Sequence, residues 1–142
     1  MRLWPLCIID QLPRQQLLGQ HRECCALRGK GWGRKHRTVD YVFRHPFFWL
    51  VVYHWCIIDE LISRGYAPED KWNDYEYRGK VLGVDNTDFT KKDTNYVIFS
   101  DIHVPLIYPE HDEKYLDECI ENLRKKGITI DRKRAIERPN AA

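Results

Sequence analysis

An apolar run that wraps almost every face of a helix constrains this chain more than any other feature. His45-Pro46 opens it and Gly65 closes it; Phe47, Phe48, Trp49, Leu50, Val51, Val52, Tyr53, Trp55, Ile57, Ile58, Leu61 and Ile62 lie between. Proline suits the first helical turn, where its missing N–H would have no partner anyway, and glycine suits the stop. A helix over about Pro46 to Arg64 that is apolar around its circumference must be enclosed, so it is predicted to be central and buried. Its aromatics read as core. The stretch Phe47 to Ile58 is about twelve residues long and contains His54, whereas a membrane span needs ~20.

Two amphipathic segments can cover that helix. Asp10 can cap the first, which takes Pro13 into its opening turn and runs to about Leu27, with Gly29 just beyond. Leu17, Leu18, Cys24 and Cys25 form its apolar stripe, and Gln16, Gln20 and Glu23 share the adjoining face. The other starts after Pro109 and spans about Glu110 to Lys126, burying Tyr115, Leu116, Cys119, Ile120 and Leu123, with Gly127 as its stop. Its early acids and its closing Arg124, Lys125 and Lys126 suit the helix dipole.

Between these segments the patterning is weaker. Thr38 to Phe43 admits either a helical turn or an extended piece. Residues 66–95 form a polar connection with a short helix expected near Asp70 to Tyr77. Asn95 to Ile107 has β-propensity, yet Pro105 argues against a central strand. The tail from Thr129 is polar and is expected to fray. The reading is one all-α domain over residues 1–142: a compact three-helix arrangement with long irregular loops around a central buried apolar helix.

Charge is unevenly spread. Residues 1–44 hold nine Lys/Arg against three Asp/Glu, a surplus of six cations, while 45–142 hold fourteen against eighteen. The N-terminal third therefore carries the positive footprint expected of a nucleic-acid partner. Its densest part is RGKGWGRKHR, where Arg28, Lys30, Arg34, Lys35 and Arg37 alternate with Gly29, Gly31 and Gly33 around Trp32, and His36 sits near its end. Glycines allow close backbone approach to phosphate, cations release condensed counterions, and an indole can stack on a base. The bland alternative is a solvated loop with Trp32 tucked into the core.

Glu23 is the sole acid between Asp10 and Asp40. A carboxylate on a rigid helix among cations can stabilise an oxocarbenium-like sugar while a base departs, or orient the nucleophile. An exposed helix acid paired with Arg22 or Lys30 is the plain alternative.

Cys7, Cys24, Cys25, Cys56 and Cys119 show no framework spacing and read as reduced thiols. The N-terminus MRLWPLCIID reads as neither signal peptide nor membrane segment, so a cytoplasmic location is expected. His21 with Cys24 and Cys25, or His54 with Cys56, lacks four ligands at a recognised spacing, so no metal is expected. Asp101-Ile102-His103 with His111-Asp112 reads as loop and cap chemistry rather than a metal phosphoesterase. No Walker loop, dinucleotide fingerprint or Gly-x-Ser-x-Gly elbow occurs, and no cofactor is expected.

The segment LPRQQLLGQHRE resembles, without a gap, the first helix of the phage pyrimidine-dimer DNA glycosylase family, also called endonuclease V. Arg22 and Glu23 fall on that family's Arg-Glu pair. The likeness continues through Arg34-Lys35-His36, through Arg64-Gly65-Tyr66 after the apolar helix, and at Leu116-Asp117-Glu118. Gln16 stands where the family has histidine, and Ala26 where it has arginine. Bulky Arg2 would leave Met1 in place, where the family exposes a threonine.

The resemblance implies a three-helix domain that bends duplex DNA, flips out a nucleotide and cuts its N-glycosidic bond with a free α-amine. An imine forms, and β-elimination then nicks the strand. Glu23 would be the catalytic carboxylate, the Met1 amine the nucleophile, and Arg22 the group keeping the site electropositive. Arg2, Arg14, Gln15, Gln16, His21, Arg28, Lys30, Trp32, Arg34, Lys35, His36 and Arg37 would meet the DNA. The expected partner is double-stranded DNA with a damaged or modified pyrimidine, bound by a monomer. Two other readings stay open: a non-catalytic module that grips distorted duplex, and a hydrolytic glycosidase in which Glu23 activates water.

Overall fold

The computed structural model describes residues 2–35, 38–85 and 107–137. A 3-10 turn, Leu6–Gln11, leads into α1, Arg14–Arg28; a second, Asp40–Arg44, leads into α2, Phe47–Ser63. After a third 3-10 turn, Asp70–Asn73, come α3, Gly79–Leu82, α4, Glu113–Lys125, and α5, Arg132–Ile136. The fold is all-α, with no strand among the described residues beyond one isolated bridge between Tyr77 and Val84. No described helix is long and apolar enough to cross a membrane.

α2 is the buried axis that its composition demands. Phe47, Leu50, Tyr53, Ile57 and Leu61 are enclosed by Leu17 and Leu27 of α1, by Leu3 and Ile8 before it, and by Leu116 and Leu123 of α4. It ends where Gly65 adopts φ +91°, which lets the Tyr66 N–H reach back to Leu61 O at 3.0 Å and closes the last turn. Arg64 then donates to Leu12 O and Ile9 O, at 2.7 and 3.1 Å, tying the first 3-10 turn to the end of α2.

Three expectations are corrected. Asp10 does not cap α1, because the 3-10 turn intervenes and Pro13 takes the N-cap position; Asp10 Oδ2 accepts instead from Arg134 at 2.9 Å. α4 starts at Glu113, where the Asp112 side chain accepts from the Tyr115 N–H. The tail does not fray at Thr129. Gln11 exchanges two hydrogen bonds with the Asp131 backbone, Asp131 caps α5 through Arg134 N, and Ala135 is buried.

The expected helix near Asp70 is a four-residue 3-10 turn, and Thr38 to Phe43 is resolved in favour of the helical turn, apart from its opening residues. The β-prone stretch lies outside the described residues, save Ile107. All five cysteines are free thiols.

Candidate active site

The segment from Arg2 to Trp4 and the middle of α1 meet in a cleft of about 280 Å³. Arg2, Trp4, Gln16, Gly19, Gln20, Glu23 and Thr38 line it, and α4 and its C-cap complete the wall with Asn122 and Lys126. Positions 16, 19, 20 and 23 recur at helical spacing, so one face of α1 presents them together while Leu17 and Cys24 turn into the core. Glu23 is half-buried, with one carboxylate oxygen shielded from bulk water. Arg22 is exposed, and its guanidinium lies back along the helix, 3.8 Å from where a Cβ on Gly19 would stand.

Two cations share the cleft with Glu23. The Arg2 guanidinium and the Lys126 ammonium lie 5.8 and 5.7 Å from the centroid of the Trp4 ring, which gives both charges an aromatic support. Arg2 also reaches Cys119 Sγ at 3.7 Å.

The segment carrying Arg2 and Trp4 belongs to no helix, so its backbone groups need other partners. Gln20, only 3% exposed, supplies two: its Oε1 accepts from Trp4 N–H at 2.7 Å and its Nε2 donates to Arg2 O at 3.1 Å. The Tyr53 hydroxyl sits 2.5 Å from Trp4 O and 2.8 Å from Gln20 Oε1, and Tyr115 OH donates to Leu3 O at 2.8 Å.

The basic loop is built differently from its sequence-based reading. The N–H groups of Gly29, Gly31, Trp32 and Arg34 are spent on carbonyls of α1 and of the loop itself, so they form no phosphate cradle. Gly31 is required by close approach: a Cβ there would sit 2.7 Å from Ala26 O. Trp32 is half-buried, edge-on to Phe43 and Phe47 at 5.2 and 4.7 Å, which leaves it packed against the core rather than free to stack on a base. Lys30, Arg34 and Lys35 are exposed.

Arg28 is not a DNA-facing cation. It is fully buried, donating to Trp72 O, Asp74 O and Tyr77 O at 2.8–3.0 Å, and to His54 Nδ1 at 3.0 Å. Burial lowers its pKa to about 10, still far above neutrality. The interior needs this cation to satisfy the carbonyls of the turn that packs on α1.

His21 is likewise turned away from the cleft. Its Nδ1 lies 2.8 Å from His54 Nε2, with Cys25 Sγ 3.8–4.0 Å from both rings. Among the described residues, these three side chains stand close enough together to suggest a metal centre. Proton positions favour another role. A guanidinium can only donate, so His54 Nδ1 accepts from Arg28 and its own proton sits on Nε2, donating to His21. A metal on His54 Nε2 would push that proton to Nδ1, donor against donor. Burial, reinforced by Arg28, holds the His54 pKa well below the ordinary histidine value. It also lowers that of His21, with Arg22 and Arg28 adding to the effect. Burial pushes the Cys25 thiol up to about 12, which leaves it an unreactive SH.

Of the other anticipated residues, Arg2, Gln16 and Glu23 meet in the cleft, whereas Arg14 and Gln15 are exposed at the start of α1, with Arg14 over the Tyr66 ring. Met1, His36 and Arg37 lie outside the described residues, as does the Asp101-Ile102-His103 segment. His111 is buried against Tyr41, and Asp112 is a helix cap, so that pair serves the core and the cap. Sequence reading missed Trp4, Gly19, Thr38, Asn122 and Lys126 as cleft residues. Asn122 and Lys126 sit four apart on the polar edge of α4, but nothing local to them points to a partner surface about a hundred residues upstream.

The family model for pyrimidine dimer DNA glycosylases matches residues 1–74. The match takes in α1, the basic loop and α2, and every cleft residue except Asn122 and Lys126. No curated protein and no solved structure matches the chain.

Proposed function

The chain belongs to the pyrimidine dimer DNA glycosylase family, and from that premise we propose that it excises a damaged or modified pyrimidine from duplex DNA through its N-terminal α-amine, and then nicks the strand. The observation that carries this reading is the shared cleft of Arg2 and Glu23, which sets the second residue of the chain beside a carboxylate on a rigid helix.

An α-amine suits the task because its ordinary pKa, about 7.7–8.0, leaves a useful neutral fraction near pH 7, unlike lysine. Its lone pair attacks C1′ of an everted nucleotide. The C1′–N bond breaks, and the base leaves with the bonding pair and takes up a proton. Glu23 faces the positive charge that develops at C1′ and stabilises it. The sugar ring then opens to an imine on the amine. Loss of a C2′ proton expels the 3′ phosphate, which is the strand break.

Arg2, Arg22 and Lys126 hold the flanking phosphates, with Gln16 beside them. Arg14, Gln15, Lys30, Arg34 and Lys35 extend the cationic surface over which the duplex runs. A cleft of about 280 Å³, near the lower end of the ~300–1,000 Å³ typical of ligand sites, suits one everted base. The retained amine is that of Met1, which intact-mass measurement checks directly.

Borohydride trapping on duplex DNA with an abasic site tests the mechanism, because reduction of the imine leaves a stable protein–DNA adduct. Glu23→Gln should abolish base release from ultraviolet-damaged DNA and leave binding intact. Base release without an adduct would select the hydrolytic scheme. Tight binding with neither would select a non-catalytic module.

A further inference from the structure

We propose that Gln20 is a positioning residue, setting where the chain's amino end stands relative to Glu23; this rests on the amine mechanism above. Its terminal amide behaves as one residue of a neighbouring strand would. One side donates to the carbonyl of residue 2 and the other accepts from the N–H of residue 4, which is the pairing of a parallel β-ladder compressed into a single side chain.

The anchor is rigid at its base. Gln20 is 3% exposed on a fifteen-residue helix, and the Tyr53 hydroxyl from α2 braces both its Oε1 and Trp4 O. With Tyr115 on Leu3 O, three consecutive residues are strapped by side chains from three helices.

The strap and the carboxylate are mechanically one unit. Gln20 and Glu23 are three apart on α1, so they lie on the same face within one turn. Consecutive Cα atoms stay about 3.8 Å apart across a trans peptide. Holding the Arg2 carbonyl therefore limits how far an amine one residue upstream can stray from Glu23. A near-attack geometry depends on that limit, because a misplacement of about 1 Å can cost roughly 100-fold in rate. A purely structural glutamine would stabilise the fold without governing the rate at saturation.

The experiment is single-turnover borohydride trapping on abasic-site duplex at saturating DNA, run on wild type, Gln20→Met and Gln20→Glu. The methionine keeps the bulk and removes both hydrogen bonds. Its trapping rate should fall about 100-fold while the Kd for DNA stays within about threefold. The glutamate variant provides the rescue. Its protonated carboxyl can both donate and accept, whereas its carboxylate can only accept and would face the Arg2 carbonyl. Burial favours the protonated form, so its rate relative to wild type should climb as pH is lowered.

A Gln20→Met protein that traps at the wild-type rate overturns the positioning role and leaves the amine mechanism standing. So does a loss of rate matched by an equal loss of DNA affinity. If Gln20→Met does not fold, the glutamate variant decides, and a ratio to wild type that is flat with pH overturns the role. A wild-type chain that forms no adduct overturns the amine mechanism itself, and the role with it.

Discussion

Arg28 Nη1 donates to His54 Nδ1 across 3.0 Å, joining α1 to α2 through a cation that no solvent reaches. The same guanidinium closes three backbone carbonyls between Trp72 and Tyr77. A residue that looks like the first member of a basic DNA-binding run is thus an internal fastener.

Replacing it should be costly. Arg28→Ala takes the guanidinium donor from Tyr77 O and from the His54 ring nitrogen, and leaves Trp72 O to Trp55 Nε1 and Asp74 O to the Tyr77 N–H alone. It also opens a large internal void, so it is expected to destabilise the fold by about 3–5 kcal/mol. Lys30→Ala, two residues on and exposed, should stay within about 0.5 kcal/mol. Equilibrium denaturation of the two variants measures the contrast; equal stabilities would show that Arg28 is not needed inside.

The exposed cations of the loop should behave in the opposite way. Arg34→Ala with Lys35→Ala is expected to leave stability unchanged and to weaken DNA affinity. The plot of log K against log salt should flatten by about 0.9 for each phosphate that the loop no longer neutralises. An unchanged slope would remove the loop from the DNA interface.

Gly19 lines the cleft from inside α1, and a Cβ there would meet nothing closer than Arg22 Nη2 at 3.8 Å. Gly19→Ala should therefore stabilise the helix by about 1 kcal/mol and raise Tm by roughly 2–4 °C. Gly19→Leu would push its side chain into the cleft, and base release should drop roughly tenfold or more. Thermal melts and a base-release assay on both variants separate the effects. Undiminished release by the leucine variant would place the reaction elsewhere.

Buried histidines make the fold acid-sensitive. Burial lowers the His111 pKa to about 4, despite opposing Glu110 and Asp112, and lowers those of His54 and His21. Folded values lie below the ordinary value near 6.5, so the unfolded chain takes up protons first as pH falls. Stability should be insensitive to these groups above about pH 6.5 and fall below it. His111 alone accounts for about 3 kcal/mol by pH 4. Tm measured at pH 7.5 and 4.5 tests this; equal values would mean that the histidines titrate normally in the folded state.

The central helix was legible because its signal is local. Apolar side chains on every face, opened by Pro46 and closed by Gly65, can be satisfied only by burial, whatever surrounds them. Glu23 beside Gln16 and Gln20 was legible for the same reason, since helical periodicity alone places them on one face. The capping glycines Gly65 and Gly127 act within a single turn and could be read from the chain.

Arg28 and His21 were misread because key neighbours are far away in the chain, and of the two readings of Trp32 the packed one holds. A basic residue at a helix end reads as solvated until Trp72, Asp74 and Tyr77 turn their carbonyls toward it. Asn122 and Lys126 join the cleft only because α4 packs against the amino-terminal segment, and α5 is held by Gln11 across the whole domain.

Periodicity, caps and turn residues act over a few positions, so they determine which segments become helices and which side chains share a face. Which face meets solvent, which cation is enclosed and which distant side chains complete a cleft depend on how the helices pack. That choice is made by packing between residues far apart in the chain, which no local pattern encodes.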